Sequence, residues 1–204
     1  MPLFLYRKLY YCKAAKSVVE CKKSKEGREM FVKNILLETW ADAFGLTELI
    51  PAELDYDLEY GKPTEAQWNS YEYLKEYQAE VLQSILRAVA AEYPEWQEDY
   101  RYEFDNLQEI MPDIAEPEEL TGLIRPEHIF FMNVEKDDVA YIGVQFHCSW
   151  DPEEGLGMMI HKNRVVHIGS RKDIYQNWIA ENDRDSREHH DIKSGVKMAC
   201  NIRF

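Results

Sequence analysis

The strongest periodic pattern in the chain is a run of apolar residues that recur at steps of three and four between Pro63 and Pro94. Spacing of this kind places side chains on one face of a helix, and the intervening glutamates fall largely elsewhere. Thr64 with Gln67 three residues later forms a capping-box pattern, and Pro94 marks a helix end. The pattern predicts one amphipathic helix of about 28 residues, with a buried face of Trp68, Tyr71, Leu74, Val81, Leu82, Ile85 and Val89.

Two segments of β character precede this helix and three follow it. Residues 31–44 and 47–60 are rich in β-forming residues and partly alternate, so each predicts a strand, with Pro51 at a bulge or a sheet edge. A helical interpretation of residues 31–42 stays open. The later segments are HIFFMNV, VAYIGVQFHCSW and GLGMMIHKNRVVHIG, and the last contains its own turn at Lys162 and Asn163.

Short helices complete the predicted elements and decide the fold class. The segment EPEELTGL predicts one short helix, and Ser170 with Asp173 begins a closing helix through a second capping-box pattern. The order is therefore strands, a long helix, a short helix, a meander and a closing helix. This order indicates an α+β fold in which an antiparallel β-meander sheet packs against one long amphipathic helix, with short helices around it.

Composition changes near both ends of the chain, and these changes define the predicted domain. The first 29 residues are Lys-rich and poor in large apolar residues, whereas a strongly apolar pattern begins at Met30. After residue 182 the sequence becomes polar again. We therefore expect a flexible basic leader over 1–29, a single α+β domain over 30–182 and a polar C-terminal tail over 183–204.

The net charge of −14 is concentrated in the middle of the chain. Residues 34–157 carry six basic and 29 acidic side chains, whereas the segments before and after them are net basic. Such an excess of carboxylates repels nucleic-acid phosphates and favours a basic protein as partner. The alternative interpretation is that the carboxylates serve solubility alone. No apolar run is long enough for a membrane span, so we expect no membrane association.

The four cysteines indicate a reduced, cytoplasmic protein. Cys12, Cys21, Cys148 and Cys200 form neither a C-x-x-C pair nor a zinc-finger spacing with histidine. A disulfide scaffold or a zinc framework is therefore not expected. The apolar N-terminal stretch is interrupted by Arg7 and Lys8, so it does not have the form of a secretory signal.

One stretch of the chain resembles a known family. The run FHCSWDPEEGLG, followed by HKNRVV, is similar to the F-x-C-x-W-D-x-E-H-G-L-G signature of an uncharacterised bacterial domain family. The resemblance extends from about Phe31 to Ala180 and covers roughly three quarters of the chain. It implies membership of a family without an assigned activity. This chain has Glu154 where the signature has His, so chemistry that depends on that imidazole is not expected here.

Cys148 is the first candidate for chemistry within this signature, because His147 is its neighbour and His161 and His167 follow. Strand alternation places Cys148 with Phe146 and Trp150 on one face and His147 on the other. We therefore interpret Cys148 as a buried structural thiol rather than a nucleophile.

The W-D-P-E-E-G loop is the second candidate. Asp151, Glu153, Glu154 and His161 are residue types that bind a metal or act as an acid and a base. The same spacing is typical of a hairpin turn, with Asp first, Pro second and Gly155 in a left-handed conformation. We favour the turn and expect no metal, cofactor or catalytic residue, and keep a metal-dependent hydrolase or metal-binding protein as the alternative.

The function expected from these observations is non-enzymatic protein interaction, of the kind in which an acidic immunity protein neutralises a basic toxin. The partner-binding residues that we predict lie in the aperiodic acidic stretch after Pro94, where aromatic residues stand among carboxylates. They are Tyr100, Tyr102, Glu98, Asp99 and Glu103.

Overall fold

The computed structural model describes residues 19–23, 29–55, 63–102 and 105–186. These residues form an α+β fold, as the sequence predicts. The strands are β1 (Val19–Lys23), β2 (Glu29–Ile35), β3 (Ile50–Leu54), β4 (Ile124–Lys136), β5 (Val139–Cys148), β6 (Leu156–His161) and β7 (Arg164–Gly169). The helices are α1 (Glu38–Phe44), α2 (Glu65–Glu76), α3 (Gln78–Tyr100), α4 (Leu107–Ile110) and α5 (Asn177–Asp185), with 3₁₀ helices at Pro117–Gly122 and Asp173–Tyr175.

The described strands form one sheet in the order β1 to β7, so every strand lies beside its neighbour in sequence. All neighbouring pairs are antiparallel except β3 and β4, which run parallel. A parallel pair needs a long crossover connection, and the chain between β3 and β4 supplies α2, α3 and α4. The meander that the sequence predicts is therefore confirmed for β4–β7, and the parallel pair interrupts it.

A single buried amide joins this crossover to the sheet. Gln67, in the first turn of α2, is fully buried. Its Oε1 accepts a hydrogen bond from the Thr64 backbone at 2.9 Å, and Thr64 Oγ1 accepts from the Gln67 backbone, so the predicted capping box is confirmed. Its Nε2 donates to the Asp55 carbonyl at the end of β3 and to the Phe131 carbonyl of β4. One side chain thus holds a helix start and both parallel strands together.

The predicted long helix is two helices, because the chain breaks at Tyr77 (φ −108°, ψ 29°). The break is held from outside the helix. The Gln78 side chain accepts a hydrogen bond from the Thr39 backbone at 2.8 Å, and the Gln78 carbonyl accepts one from Trp40 Nε1 at 2.8 Å. Docking of α1 therefore overrides the helical propensity at Tyr77. The predicted long helix is confirmed in α3, which has 23 residues, whereas its predicted continuity with α2 is wrong.

Pro94 lies inside α3 and does not end it, contrary to the prediction. Proline removes one backbone hydrogen bond from a helix, which packing on both sides can compensate. Tyr93 and Trp96 flank the proline, and their rings lie 5.4 and 5.8 Å from that of Trp150. The acidic stretch up to Tyr100 is consequently helical rather than a loop.

The N-terminal half of the domain differs from the prediction in two further respects. The predicted strand over 31–44 ends at Ile35 and gives way to α1, the helical alternative for this segment. Pro51 lies in β3, an interior strand, and not at the predicted bulge or sheet edge. The sheet tolerates the missing N–H of this proline because the ladder between β3 and β4 begins one residue later, at Ala52. Residues 56–60 of the predicted second strand lie outside the described residues.

The predicted leader over 1–29 contains β1, which pairs with β2 from Val19 opposite Lys33 to Lys23 opposite Glu29. Lysines are common on edge strands because they discourage pairing with another chain, so a Lys-rich composition is compatible with a strand at this position. At the other end α5 continues to Asp185, past the predicted boundary at 182. No helix of the described residues has both the length and the apolar character that crossing a membrane requires.

The main core lies between the helices and one face of the sheet. Leu74 of α2 and Val81, Ile85 and Val89 of α3 are all buried, as their helical spacing predicts, and Trp68 is half-buried beside them. The opposite face of the sheet carries a smaller cluster under α5, made of Met132, Val134, Tyr141, Met159, Ile179 and Ala180.

The chain after β7 crosses this second face in direct contact with the sheet. A Cβ at Gly143 would overlap Ile174, and one at Gly157 would overlap the backbone of Ser170. Glycine is therefore required at both positions if the segment from Ser170 to Tyr175 is to lie so close. This segment brings Arg171 and Tyr175 over the strands.

Replacing Ile85 with Ala should lower the free energy of unfolding by about 2 to 5 kcal/mol, because the side chain is completely buried between α3 and the sheet. Ile85→Asp should prevent folding. Urea denaturation followed by circular dichroism measures the change. The exposed Glu92→Ala on the same helix should change stability by less than about 0.5 kcal/mol. Equal stability of Ile85→Ala and the parent protein would mean that this helix face is not the core.

Candidate functional site

The W-D-P-E-E-G loop joins β5 to β6 and is a hydrogen-bonded turn. Asp151 Oδ1 accepts from the Glu154 backbone at 2.9 Å, and the Asp151 carbonyl accepts from the Gly155 backbone at 2.9 Å. Gly155 has a φ of 61°, the left-handed conformation that the turn prediction requires. Glu154 Oε2 pairs with Lys172 at 3.1 Å. The acidic side chains of this loop therefore shape and attach the turn, and Glu153 is exposed.

His161 lies at the opposite end of β6 from this loop, so the structure does not bring it to the acidic residues. Its Nε2–H donates to the carbonyls of Lys136 at 2.9 Å and Val139 at 3.2 Å. These carbonyls flank the tight β4–β5 turn, in which Asp137 and Asp138 both have positive φ. Within the described ranges no three His, Cys, Asp or Glu side chains are grouped so as to hold a metal ion. The site of the metal-binding alternative is not assembled by these four residues.

Replacing His161 with Gln should weaken the dependence of stability on pH. Burial lowers the pKa of His161, so the folded protein binds fewer protons than the unfolded chain as the pH falls below about 6.5. Stability contributed by the neutral ring is therefore present above that pH and is lost as the pH falls through it. Gln retains an N–H donor for the carbonyls but does not titrate. Urea denaturation between pH 7.5 and 5.5 should show a smaller loss of stability in His161→Gln than in the parent, and parallel curves would contradict this role.

Cys148 has the structural role that the strand alternation predicts. It is buried among the apolar residues of β5, and its thiol donates to the Asp151 carbonyl at 3.3 Å. Burial raises the pKa of the thiol to about 11. A thiolate is the nucleophilic form of cysteine, and this environment disfavours it. Cys148 therefore fixes the start of the loop and does not supply a nucleophile.

Cys148 should react slowly with iodoacetamide in the folded protein. At pH 8 a thiol with a pKa near 11 is ionised in about one molecule in a thousand, against roughly a quarter of molecules for an unperturbed thiol. Labelling followed by peptide mapping should show modification at least 100-fold slower in buffer than in urea. Comparable rates in the two solvents would show that the thiol is accessible and activated.

The predicted partner-binding residues divide between the surface and the interior. Tyr102 is 86% exposed, and Glu98 and Asp99 are exposed at the end of α3, where Glu98 pairs with Arg101 at 2.8 Å. Tyr100 is half-buried instead, and its hydroxyl donates to Asp151 Oδ2 at 3.2 Å. Its helical position turns it toward the core, so Tyr100 is not an exposed anchor. Glu103 lies outside the described residues.

The exposed carboxylates form one continuous stretch of the chain, which we call the acidic surface. It consists of the second half of α3, α4, the 3₁₀ helix Pro117–Gly122 and the described residues between these helices. Every described acidic residue here is exposed, and the segment contains one basic residue, Arg101. Hydrogen bonding from Gln83 lowers the pKa of Glu118. The described carboxylates are Glu92, Glu95, Glu98, Asp99, Asp105, Glu109, Asp113, Glu116, Glu118 and Glu119.

The acidic surface rests on a fixed backbone. Gln97 Nε2 donates from α3 to the Met111 carbonyl at 2.9 Å, and the Tyr93 hydroxyl donates to the Pro112 carbonyl at 3.1 Å. Met111 is fully buried. The chain that follows α4 is therefore attached to α3, and the carboxylates on both sides of this junction keep a defined arrangement.

The second face of the sheet carries a polar cluster that the sequence pattern does not predict. His128 Nε2 lies 3.6 Å from Glu53 Oε2, the Tyr175 hydroxyl lies 3.4 Å from His128 Nδ1, and Gln145 Nε2 donates to that hydroxyl at 3.3 Å. Burial lowers the pKa of His128 while Glu53 opposes the shift, and burial raises the pKa of Tyr175. The phenol of Tyr175 lies within hydrogen-bond distance of His128 Nδ1, while Glu53 lies beside His128 Nε2 at a distance longer than a hydrogen bond. The cluster attaches the Asp173–Tyr175 turn to the sheet.

No single segment carries a signal for this cluster. Glu53 is in β3, His128 in β4 and Tyr175 follows β7. The parallel pairing of β3 with β4 brings the first two together, and alternation along one strand cannot reveal a pairing across a crossover. Alternation does place Gln145 on the face opposite Cys148, and the structure confirms that assignment.

Comparison with known proteins gives one match. Residues 32–175 match the family model of a domain of unknown function, DUF6985. No curated protein matches the chain, and no solved structure matches it.

Proposed function

The chain belongs to the DUF6985 family, and we propose that it is a non-enzymatic binding protein whose acidic surface docks on a basic partner protein. The partner class is a basic toxin or effector domain, and the protein acts on it as an immunity protein does. We place the interaction in the cytoplasm, where a free thiol such as Cys148 stays reduced.

The acidic surface carries this proposal. Ten described carboxylates are exposed along α3, α4 and the following 3₁₀ helix, and the one arginine among them is already paired with Glu98. Like charges concentrated in one segment repel one another, so a basic surface that neutralises them binds favourably. The same field repels phosphates, which argues against nucleic acid as the partner.

Two features of the acidic surface suit binding as well as solubility. Tyr102 is an aromatic side chain that the fold leaves exposed among carboxylates, and tyrosine is typical of the residues that dominate binding energy at interfaces. The hydrogen bonds of Gln97 and Tyr93 fix the backbone beneath, so little ordering is required when a partner binds.

The residues that the sequence offered for catalysis have structural roles, which supports a binding function. Cys148 has a buried thiol with a raised pKa, and His161 braces a turn. Asp151 orders its own loop and accepts from Tyr100.

Charge reversal on the acidic surface should weaken binding of the basic partner. The partner is captured from the native lysate on the immobilised full chain at 50 mM salt, identified, purified and titrated by calorimetry. Glu95→Lys with Asp99→Lys should raise its dissociation constant at least tenfold, about 1.4 kcal/mol. Tyr102→Ala should weaken binding by a similar factor. The matched control is Glu72→Lys on the exposed side of α2, which should leave affinity within about twofold.

The dependence of binding on salt concentration distinguishes a specific interface from carboxylates that serve solubility alone. The association rate should fall steeply between 50 and 500 mM salt because exposed charges are screened. The dissociation rate should depend less on salt and should rise in Tyr102→Ala, which removes the aromatic contact. If no basic protein is retained at either salt concentration, or if Glu72→Lys weakens binding as much as the surface variants do, the carboxylates serve solubility alone.

A further inference from the structure

A groove opens where the sheet is incomplete. The ladder between β3 and β4 pairs residues 52–54 with residues 129–131, and β4 begins five residues earlier at Ile124. The first residues of β4 pair with β5 on one side, as Arg125 does with His147. On the other side the chain from Leu46 into β3 borders them across a cavity of about 510 Å³.

The groove has an apolar wall and two basic side chains. The wall consists of Leu46, Leu49, Ile50, Pro51 and Pro126. Leu49 is 45% exposed, so part of this wall is open to solvent. The cavity has the volume of a small-molecule site, and its lining combines this apolar wall with charged and polar side chains.

Arg125 and His147 are directly opposite each other on β4 and β5, so their side chains stand on the same face of the sheet about 5 Å apart at Cβ. Within the described residues neither side chain makes a hydrogen bond or an ion pair. Two other cations of the acidic middle segment are engaged: Arg101 pairs with Glu98, and Lys136 donates to the Asp183 carbonyl. Arg125 is therefore a cation that the fold leaves available beside an apolar wall.

We propose that this groove binds a small molecule that carries one carboxylate on an apolar body. The guanidinium of Arg125 receives the carboxylate through two parallel hydrogen bonds, the geometry that arginine favours, and His147 supplies a further donor. The apolar body lies along Leu46, Leu49 and Pro126.

The remaining charges of the groove select the class of anion. Glu48 and Glu127 also line it, and Glu127 is partly neutralised by Arg171 at 3.5 Å. Two carboxylates beside the basic pair repel a dianion more strongly than a monoanion. The site therefore favours a monocarboxylate over a phosphate monoester. This ligand site is independent of the acidic surface and of its partner.

Three probes of matched length test the proposal: hexanoate, its neutral analogue hexanamide, and hexyl phosphate. Each is titrated into the isotopically labelled full chain at constant ionic strength, and amide chemical shifts are followed by NMR. Hexanoate should shift the resonances of Leu49, Arg125 and His147 saturably with a dissociation constant of about 1 mM, as expected for a ligand of this size. Hexanamide and hexyl phosphate should bind at least fivefold more weakly.

Variants identify the residue responsible. Arg125→Gln should weaken hexanoate binding at least tenfold, and Arg125→Lys should give an intermediate loss because lysine keeps the charge but not the paired hydrogen bonds. Arg101→Gln removes the same charge from the residue that follows α3 and should leave binding unchanged. Because Arg125 is exposed, the variants should retain the dispersed spectrum of the folded protein.

Four results would overturn the proposal. The first is a set of chemical-shift changes that do not saturate, and the second is a loss of hexanoate binding in Arg101→Gln equal to that in Arg125→Gln. The third is equal binding of hexanamide, which would indicate an apolar cleft only. The fourth is equal or tighter binding of hexyl phosphate, which would indicate a general anion site. Failure here leaves the acidic-surface proposal intact, since the calorimetric titration of the protein partner does not involve the groove.

Discussion

The side-chain amide of Gln67 is the interaction on which this architecture depends. A parallel strand pair in an otherwise antiparallel sheet needs a crossover, and the crossover must be attached to the sheet at a defined point. Gln67 provides that point because it caps α2 and donates to carbonyls at the ends of both β3 and β4. Because Gln67 is fully buried, removing its side-chain amide would leave the Asp55 and Phe131 carbonyls and the Thr64 backbone N–H without this hydrogen-bond partner. The positions of Glu53 beside His128, and of the groove beside Arg125, follow from the same pairing.

The loop after β5 links the core to the acidic surface. Trp150 packs against Tyr93 and Trp96 of α3, and Asp151 receives the Tyr100 hydroxyl. The loop that carries the family-like signature is thus an attachment point for the helix that displays the carboxylates. Its acidic residues resemble a metal site in sequence. In the structure Asp151 and Glu154 hold the turn through hydrogen bonds and an ion pair, and Glu153 is exposed.

The sequence predicts local features of this protein well and long-range ones poorly. Alternation in β4–β7 and the apolar spacing of α2 and α3 depend on residues that are close in sequence. The sequence therefore predicts the meander, the buried helix face and the burial of Cys148. The break at Tyr77 is not, because Trp40 and Thr39 impose it from another helix. The aperiodic acidic sequence around Tyr100 predicts an exposed side chain, but α3 continues past Pro94 and turns Tyr100 toward Asp151.

The parallel pair also has a consequence for the order in which the protein can fold. Ala52 contacts Ile129, so the two strands of the pair are about 77 residues apart along the chain. At ribosomal rates, β1–β3 are complete about 4 to 15 s before their partner strand has been synthesised. During that interval β3 has no β4 backbone to pair with, so Ile50, Ala52 and Leu54 lack their neighbours from β4 in the main core. The parallel ladder that joins the N-terminal strands to β4–β7 therefore cannot form until the crossover helices and β4 have been made.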